Sequence, residues 1–314
     1  NQHAPNTAPS LGKMASPTRA LWLRLRNMPV LRMLQLEEAI FRTDTRSWFI
    51  TNTWDAPPTS AGPERDAAHA AAQSVVLGIS GKPAEMLNTE EVLKAGVPVI
   101  KRFSGGGTII SDAGGLLKHV ALTSRANTAA ARAARGVAHP AAPPAAPDTL
   151  FATFICAAAD EPQVPPYPDP ILDWTSSVYD AALRGCGATN FAVRANDYCF
   201  ATEEGDFKFG GNAQSISGKR WLHHTSLLWD YEPARMGLLR MPKRQPAYRA
   251  QRSHGSFVRG LSQTLPSRDA FCASLAAAAG ATWELTPVEL EEAQAALSLP
   301  HRQVTRLLRP EEVC

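Results

Sequence analysis

Three consecutive glycines, Gly105, Gly106 and Gly107, separate two short apolar runs at 97–102 and 108–110. Glycine has no Cβ and loses more freedom on folding than any other residue, so three together weaken a helix or strand that contains them. The flanking runs therefore read as two strands joined by an open loop. Lys101 and Arg102 lead into that loop. Bare backbone beside positive charge can close around a phosphate or a carboxylate, although a plain glycine-bearing hairpin shows the same letters.

The rest of the chain supplies strands and helices in no fixed alternation. Residues 20–26 read as a first strand and 30–41 as a helix, with Leu31, Leu34, Leu36 and Ile40 near helical spacing. Strands are expected at 47–51, 74–80 and 149–156, and a short helix at 89–95. A helix at 170–186 has Asp169 as its N-cap and Pro170 at the first position, where a missing N–H costs nothing. Segments 191–193, 197–202, 207–215 and 221–230 alternate like an antiparallel sheet, and helical stretches follow at 267–279 and 287–297. This order lacks a β-α-β repeat and argues for an α+β fold, with mixed or antiparallel sheets flanked by helices. One domain is expected over 20–300, with 1–19 an uncertain leader and 301–314 a tail. Residues 55–73, rich in Ala, Pro and charge, read as a surface loop, and the low-complexity region 113–148 as an insertion that leaves the fold.

At 314 residues, 44% of them apolar, the chain can bury one sizeable core. A net charge of +3 gives no reason to expect nucleic acid as a partner. Arginines break the most apolar early stretch, 21–36, which falls short of the ~20 apolar residues of a membrane span, so no membrane segment is expected. Cys156, Cys186, Cys199, Cys272 and Cys314 form no C-x-x-C pair and no metal spacing with the eight histidines, which suits a reducing compartment. Residues 14–32 are rich in Arg and poor in acid, as mitochondrial presequences are, yet read equally well as a strand.

A second glycine break lies further on. Phe207-Lys208-Phe209 runs into Gly210-Gly211-Asn212-Ala213-Gln214, after Asn196-Asp197 and before His223-His224-Thr225-Ser226. A lysine held on a strand between aromatic residues can present a fixed positive charge to a developing anion. Alone, such a lysine would serve solubility. The ordered set R-x-S-G-G-G, N-D, K-x-G-G-N-A-Q and H-H-T-S resembles the lipoate-protein ligase A family, within the wider group of biotin and lipoate ligases. QLEEAIFR at 35–42 resembles that family's first helix, VVLGISGKPAEMLN the strand and loop before the glycine motif, and TLFATFIC the strand after it.

The resemblance implies the catalytic-domain fold of those ligases and a reaction using ATP, Mg²⁺ and lipoate or octanoate. The acid is activated as an acyl adenylate and passed to a lysine of an acceptor protein. Arg102, Ser104, Gly105, Gly106, Gly107 and Thr108 are then expected to embrace the adenylate, and Lys208 to be the catalytic residue that meets the carboxylate and the phosphate. Asn196 and Asp197 would lie near the nucleotide, with Asp197 at the metal, while Gly211, Asn212, Ala213 and His224 line the same pocket. Expected acceptors are lipoyl domains of 2-oxoacid dehydrogenase E2 subunits and the glycine-cleavage H protein, which favours a mitochondrial location. An accessory subunit is a further expected partner, because little chain follows Gly260, where bacterial relatives add an accessory domain.

Some positions depart from the pattern. Ser111-Asp112 stands where relatives often carry a histidine before the aspartate. Octanoyltransferases of the superfamily use a nucleophilic cysteine, but Phe191 and Met241-Pro242-Lys243 occupy the two places where it would fall, and Cys199 reads as a small apolar filler. The G-R-G-R-x-G pattern of biotin-protein ligases is replaced by KRFSGGG. A transferase using a preformed acyl donor and an inactive acyl-binding homologue are the alternative readings. YRAQRSHGSFVR carries Arg249, Arg252 and Arg259 around His254; the resemblance implies a basic segment here that approaches the nucleotide or acceptor, against a plain solvated charge face, and Arg252 and Arg259 are the further candidates.

Overall fold

The computed structural model describes residues 17–53, 73–111, 149–161, 163–231, 233–242 and 245–314. The expected loop at 55–72, the expected insertion 113–148, Asp112 and residues 1–16 of the leader lie outside the described residues. In chain order the strands are β1 Thr18–Arg26, β2 Ser47–Thr53, β3 Ser74–Leu77, β4 Val99–Lys101, β5 Ile109–Ser111 and β6 Thr149–Ala157. They continue with β7 Phe191–Arg194, β8 Asp197–Thr202, β9 Gly205–Ser217, β10 Arg220–Leu228, β11 Trp283–Val288 and β12 Arg306–Leu307.

These strands make an eight-stranded sheet, β11-β1-β2-β6-β10-β9-β8-β7, and a four-stranded sheet, β12-β4-β3-β5. The helix Val30–Thr43 carries the chain from β1 back to its parallel neighbour β2, the crossover that parallel pairing requires. From β6 to β7 the pairing in the large sheet is antiparallel. The fold is α+β with mixed sheets, as the sequence pattern implied.

The run of buried residues in β6, apolar but for Thr149 and Thr153, follows from its place at the centre, where both faces are covered. Phe154 and its neighbour Phe49 on β2 pack toward the helices Pro168–Gly185 and Arg268–Thr282, whose Tyr179, Leu183, Phe271 and Leu275 share that cluster. Phe151 and Ile155, pointing the other way by the two-residue period of a strand, pack toward Leu34 and Ile40 of the helix Val30–Thr43 and toward Val76, Ile100 and Phe103.

Glu37 and Glu38 of that helix are buried and answered, Glu37 by the Thr153 hydroxyl, which donates to its Oε1 at 2.8 Å. Glu38 accepts from the backbone N–H groups of Val304 and Thr305 and from Arg42 Nε. Thr305 Oγ1 in turn accepts from the N–H of Phe103 at 3.3 Å, two residues before the triple glycine. Residues 301–314, set apart as a tail in the sequence pattern, thus add β12 to the edge of β4 and place Val313 in a core cluster. The chain's end braces the base of the glycine loop.

Two local expectations are corrected. The helix expected to start after Asp169 begins at Pro168, with Tyr167 as N-cap and no side-chain cap bond. Pro168 already supplies the helical φ and lacks the N–H that a cap would satisfy, so Asp169 falls within the first turn. Residues 287–297 do not form one helix. Trp283–Val288 pairs in parallel with β1 and only Leu290–Gln294 is α-helical. Pro287 is tolerated there because β11 is an edge strand, where one missing N–H breaks no ladder on the open side. No helix among the described residues is long and apolar enough to cross a membrane.

Candidate active site

The glycine loop is fixed from three sides. Arg102 N–H donates to Leu77 O at 3.0 Å, Ile79 N–H to Ser104 O at 3.0 Å, and Gly105 N–H to Gln214 O on β9 at 3.0 Å. Gly106 has φ +106°, and a Cβ there would lie 2.7 Å from Asn212 O. The loop therefore sits directly on β9, backbone against backbone. The Arg102 guanidinium, 3% exposed, donates through Nη2 to Gly105 O at 3.0 Å and Gly107 O at 2.8 Å. Burial draws its pKa down to about 10, against the pull of Glu37. Arg102 holds the loop from behind.

Lys208 is aimed by the hairpin beside it. Ala195 and Asn196 have φ of 46° and 70°, the two left-handed positions of a two-residue hairpin turn between β7 and β8. Asn212 Nδ2 ties that turn to β9 by donating to Asn196 O at 2.7 Å. The register between β8 and β9 shifts at Tyr198 and Cys199, a bulge of the sort that redirects side chains beside a site. Lys208 Nζ then donates to Asp197 Oδ1 at 2.6 Å, and Tyr248 Oη donates to Asp197 Oδ2 at 2.7 Å. Cys199 Sγ donates to Tyr248 Oη at 3.5 Å, so the residue read as an apolar filler also closes this chain of bonds. Burial pushes the Cys199 thiol up to about 11, and burial beside Asp197 raises the Tyr248 hydroxyl well above its ordinary range.

A strap over residues 245–260 covers the lysine. Arg259 N–H donates to Lys208 O at 2.9 Å, and Val258 forms a parallel bridge with Lys208. Arg252 fastens the strap: it donates to Arg249 O, Tyr248 O and Asp206 O at 3.1, 3.0 and 2.6 Å, over the rings of Phe207 and Phe257. Arg259 lies over Phe207 at 3.8 Å and reaches Glu204.

Between strap, β9 and glycine loop lies a cavity of about 340 Å³. Of the residues expected from the sequence, Gly107, Thr108, Asp197, Lys208 and Gly211 line it. Arg102, Ser104, Gly105, Gly106, Asn196, Asn212 and Ala213 are not on its wall, and those whose bonds are described above hold that wall in place. His224 is also off the wall. Its Nδ1 is 3.0 Å from Glu37 Oε2 and 2.9 Å from Thr153 Oγ1, beneath the sheet. His223 faces the opposite side, with Nε2 2.8 Å from Tyr198 Oη, and burial pushes its pKa down to about 3.

Met86, Ile109, Phe209, Leu228, Met236 and Leu239 give the cavity an apolar side. Arg249 and His254, which the sequence reading named in the basic stretch but did not choose as candidates, and Arg240, which it did not name, add basic groups. The signal for Arg249 and His254 was present in YRAQRSHGSF, where basic and aromatic residues interleave, but it pointed to Arg252 and Arg259 just as strongly. A cavity lined by apolar side chains together with Lys208, Arg249 and loop backbone can take a ligand with a hydrocarbon body and an anionic head.

The fold is that of lipoate-protein ligases. A bipartite ligase from Thermoplasma acidophilum, described with its E2 lipoyl domain, superposes with a TM-score of 0.58 at 15% identity, covering 89% of this chain and 90% of that one. A lipoate-protein ligase A bound with ATP gives a TM-score of 0.56 at 14% identity, covering 90% and 92%. The family model for the lipoyl protein ligase A/B catalytic domain matches residues 68–138 and 146–280, more than half of the chain, and the chain belongs to that family. A Plasmodium falciparum (isolate 3D7) protein named inactive lipoate--protein ligase 2 is 24% identical over 268 residues, 74% of this chain. The match spans 60% of that relative's length.

Proposed function

We propose that the chain activates lipoate or octanoate with ATP as an acyl adenylate and transfers the acyl group to a lysine of a lipoyl acceptor domain. The observation that carries this reading is a cavity lined both by apolar side chains and by Lys208 and the glycine loop. Support comes from relatives of the same fold, one bound with ATP and one described with its E2 lipoyl domain. A carboxylate oxygen attacks the α-phosphorus and pyrophosphate leaves. The acceptor amine then attacks the activated carbonyl, and AMP departs. Lys208 faces the charge that builds in each step, while Asp197 and Tyr248 keep its ammonium in place.

Asp197 is the carboxylate that would hold Mg²⁺ arriving with the nucleotide. Lys208 and Tyr248 occupy one site on each of its oxygens, and a carboxylate offers about four. Among the described residues no group of three His, Cys, Asp or Glu side chains could hold a metal, so phosphate oxygens would complete the shell. The metal would screen phosphate charge. The acceptors are E2 lipoyl domains and the glycine-cleavage H protein, with an accessory subunit as a further partner. These acceptors support a mitochondrial location. The Arg-rich stretch at 18–26 does not, because it is spent on β1.

Lipoate-dependent exchange of pyrophosphate into ATP, without acceptor, tests the reading. Exchange by the wild type that vanishes in Lys208→Ala supports it. Transfer from preformed lipoyl-AMP without exchange points instead to a transferase. Absence of both steps points to the second reading, an inactive acyl-binding homologue.

A further inference from the structure

Arg249 is 4% exposed, and among the described residues no carboxylate pairs with it. Its Nε donates to Arg252 O at 3.0 Å, its Nη2 to Met241 Sδ at 3.3 Å, and its guanidinium lies 4.5 Å over the Phe257 ring. None of these partners carries negative charge. Asp197 attracts it, but no hydrogen bond or ion pair joins the two among the described residues, and the charge of that carboxylate is already answered by Lys208. A buried cation is ordinarily answered by an anion, because its lost hydration must be replaced.

The same side chain lines the cavity, with Lys208 and His254. His254 Nε2 is sealed from solvent and has no hydrogen-bond partner, and burial lowers that ring's pKa, disfavouring its charged form. The Lys208 charge is balanced by Asp197, so the cavity wall keeps the positive charges of Arg240, which is exposed and donates to Ala84 O, and of Arg249, which is buried. Its position is fixed: Ala250 and Gln251, next in the chain, both have left-handed φ, 50° and 57°, and Arg252 pins the turn through three carbonyls.

We infer that Arg249 captures the anionic head of the ligand in this cavity, a carboxylate or phosphate oxygen, as a second cationic contact beside Lys208. The ligase reading supplies the names of the ligands, an acyl acid and a nucleotide. The capture itself needs only the cavity and its charge.

The test is calorimetric titration of the full chain and of Arg249→Met with octanoate, with the neutral isostere octanamide, and with AMP. Octanoate binding is expected to weaken about 10- to 100-fold in the variant, the weight of a hydrogen bond to a charged group, with octanamide unchanged. A selective loss of AMP binding instead also supports the inference and assigns the head to phosphate. Equal loss for octanoate and octanamide, or no loss for either anion, overturns it. If Arg249→Met does not fold, Arg249→Gln, which removes the charge but keeps a polar side chain, is titrated with the same three ligands and read by the same criteria. Wild type that fails pyrophosphate exchange yet binds octanoate through Arg249 refutes the ligase reading and leaves this one standing.

Discussion

Of the three consecutive glycines, the structure makes one obligatory. At Gly106, φ is +106°, and an added Cβ would lie 2.7 Å from Asn212 O, 2.8 Å from Arg102 Nη2 and 3.2 Å from Ala213 Cα. Asn212 cannot retreat, because β9 is paired with β10 at that register, opposite Thr225. Arg102 cannot swing away without giving up Gly105 O and Gly107 O. Gly106→Ala therefore combines backbone strain of about 1–3 kcal/mol with overpacking of about 1–3 kcal/mol. A loss of about 3 kcal/mol is expected, at about 2–4 °C per kcal/mol for a domain of this size, or about 6–12 °C in melting temperature. Gly107→Ala is the control, since a Cβ at Gly107 meets nothing within 4 Å and its φ is not in the left-handed range. It should stay within about 0.5 kcal/mol of wild type. Urea unfolding of the three proteins side by side measures both differences. Equal losses in the two variants, or none in Gly106→Ala, would refute the claim that close approach of loop to strand, and not glycine flexibility in general, fixes this motif.

Three further outcomes are expected. His223 has a folded pKa of about 3 against about 6.5 when unfolded, so the unfolded chain binds the extra proton between those values and stability rises with pH across that window, then levels off above it. The slope approaches 1.4 kcal/mol per pH unit; unfolding of wild type and His223→Gln at pH 7 and pH 5 should show a steeper loss in wild type, and parallel losses would count against it. Glu37→Ala strands the buried His224 and Thr153 side chains together, and a stability loss of about 3 kcal/mol or more is expected; a wild-type denaturation midpoint would contradict it. Arg252→Met removes three carbonyl bonds of the strap, and faster amide exchange confined to 245–260 should follow, whereas unchanged exchange there would show that other contacts hold the segment.

The elements whose signal is local were legible from the residues alone. The apolar run of β6, the alternation of β8 to β10 and the two glycine breaks each follow from the periods and torsions of a few neighbouring residues, and the ordered motifs placed the chain in its family. Tertiary structure decided what depends on distant partners. β11 became a strand because β1 offered an open edge 265 positions earlier in the ladder, at Thr18 opposite Trp283. Arg102 turned behind its loop, and Arg249 instead of Arg252 reached the cavity, because burial and hydrogen-bond supply come from segments far away in sequence. A charged side chain looks the same in the sequence whether solvent, a backbone carbonyl or a ligand answers it, and only the packed chain chooses among the three.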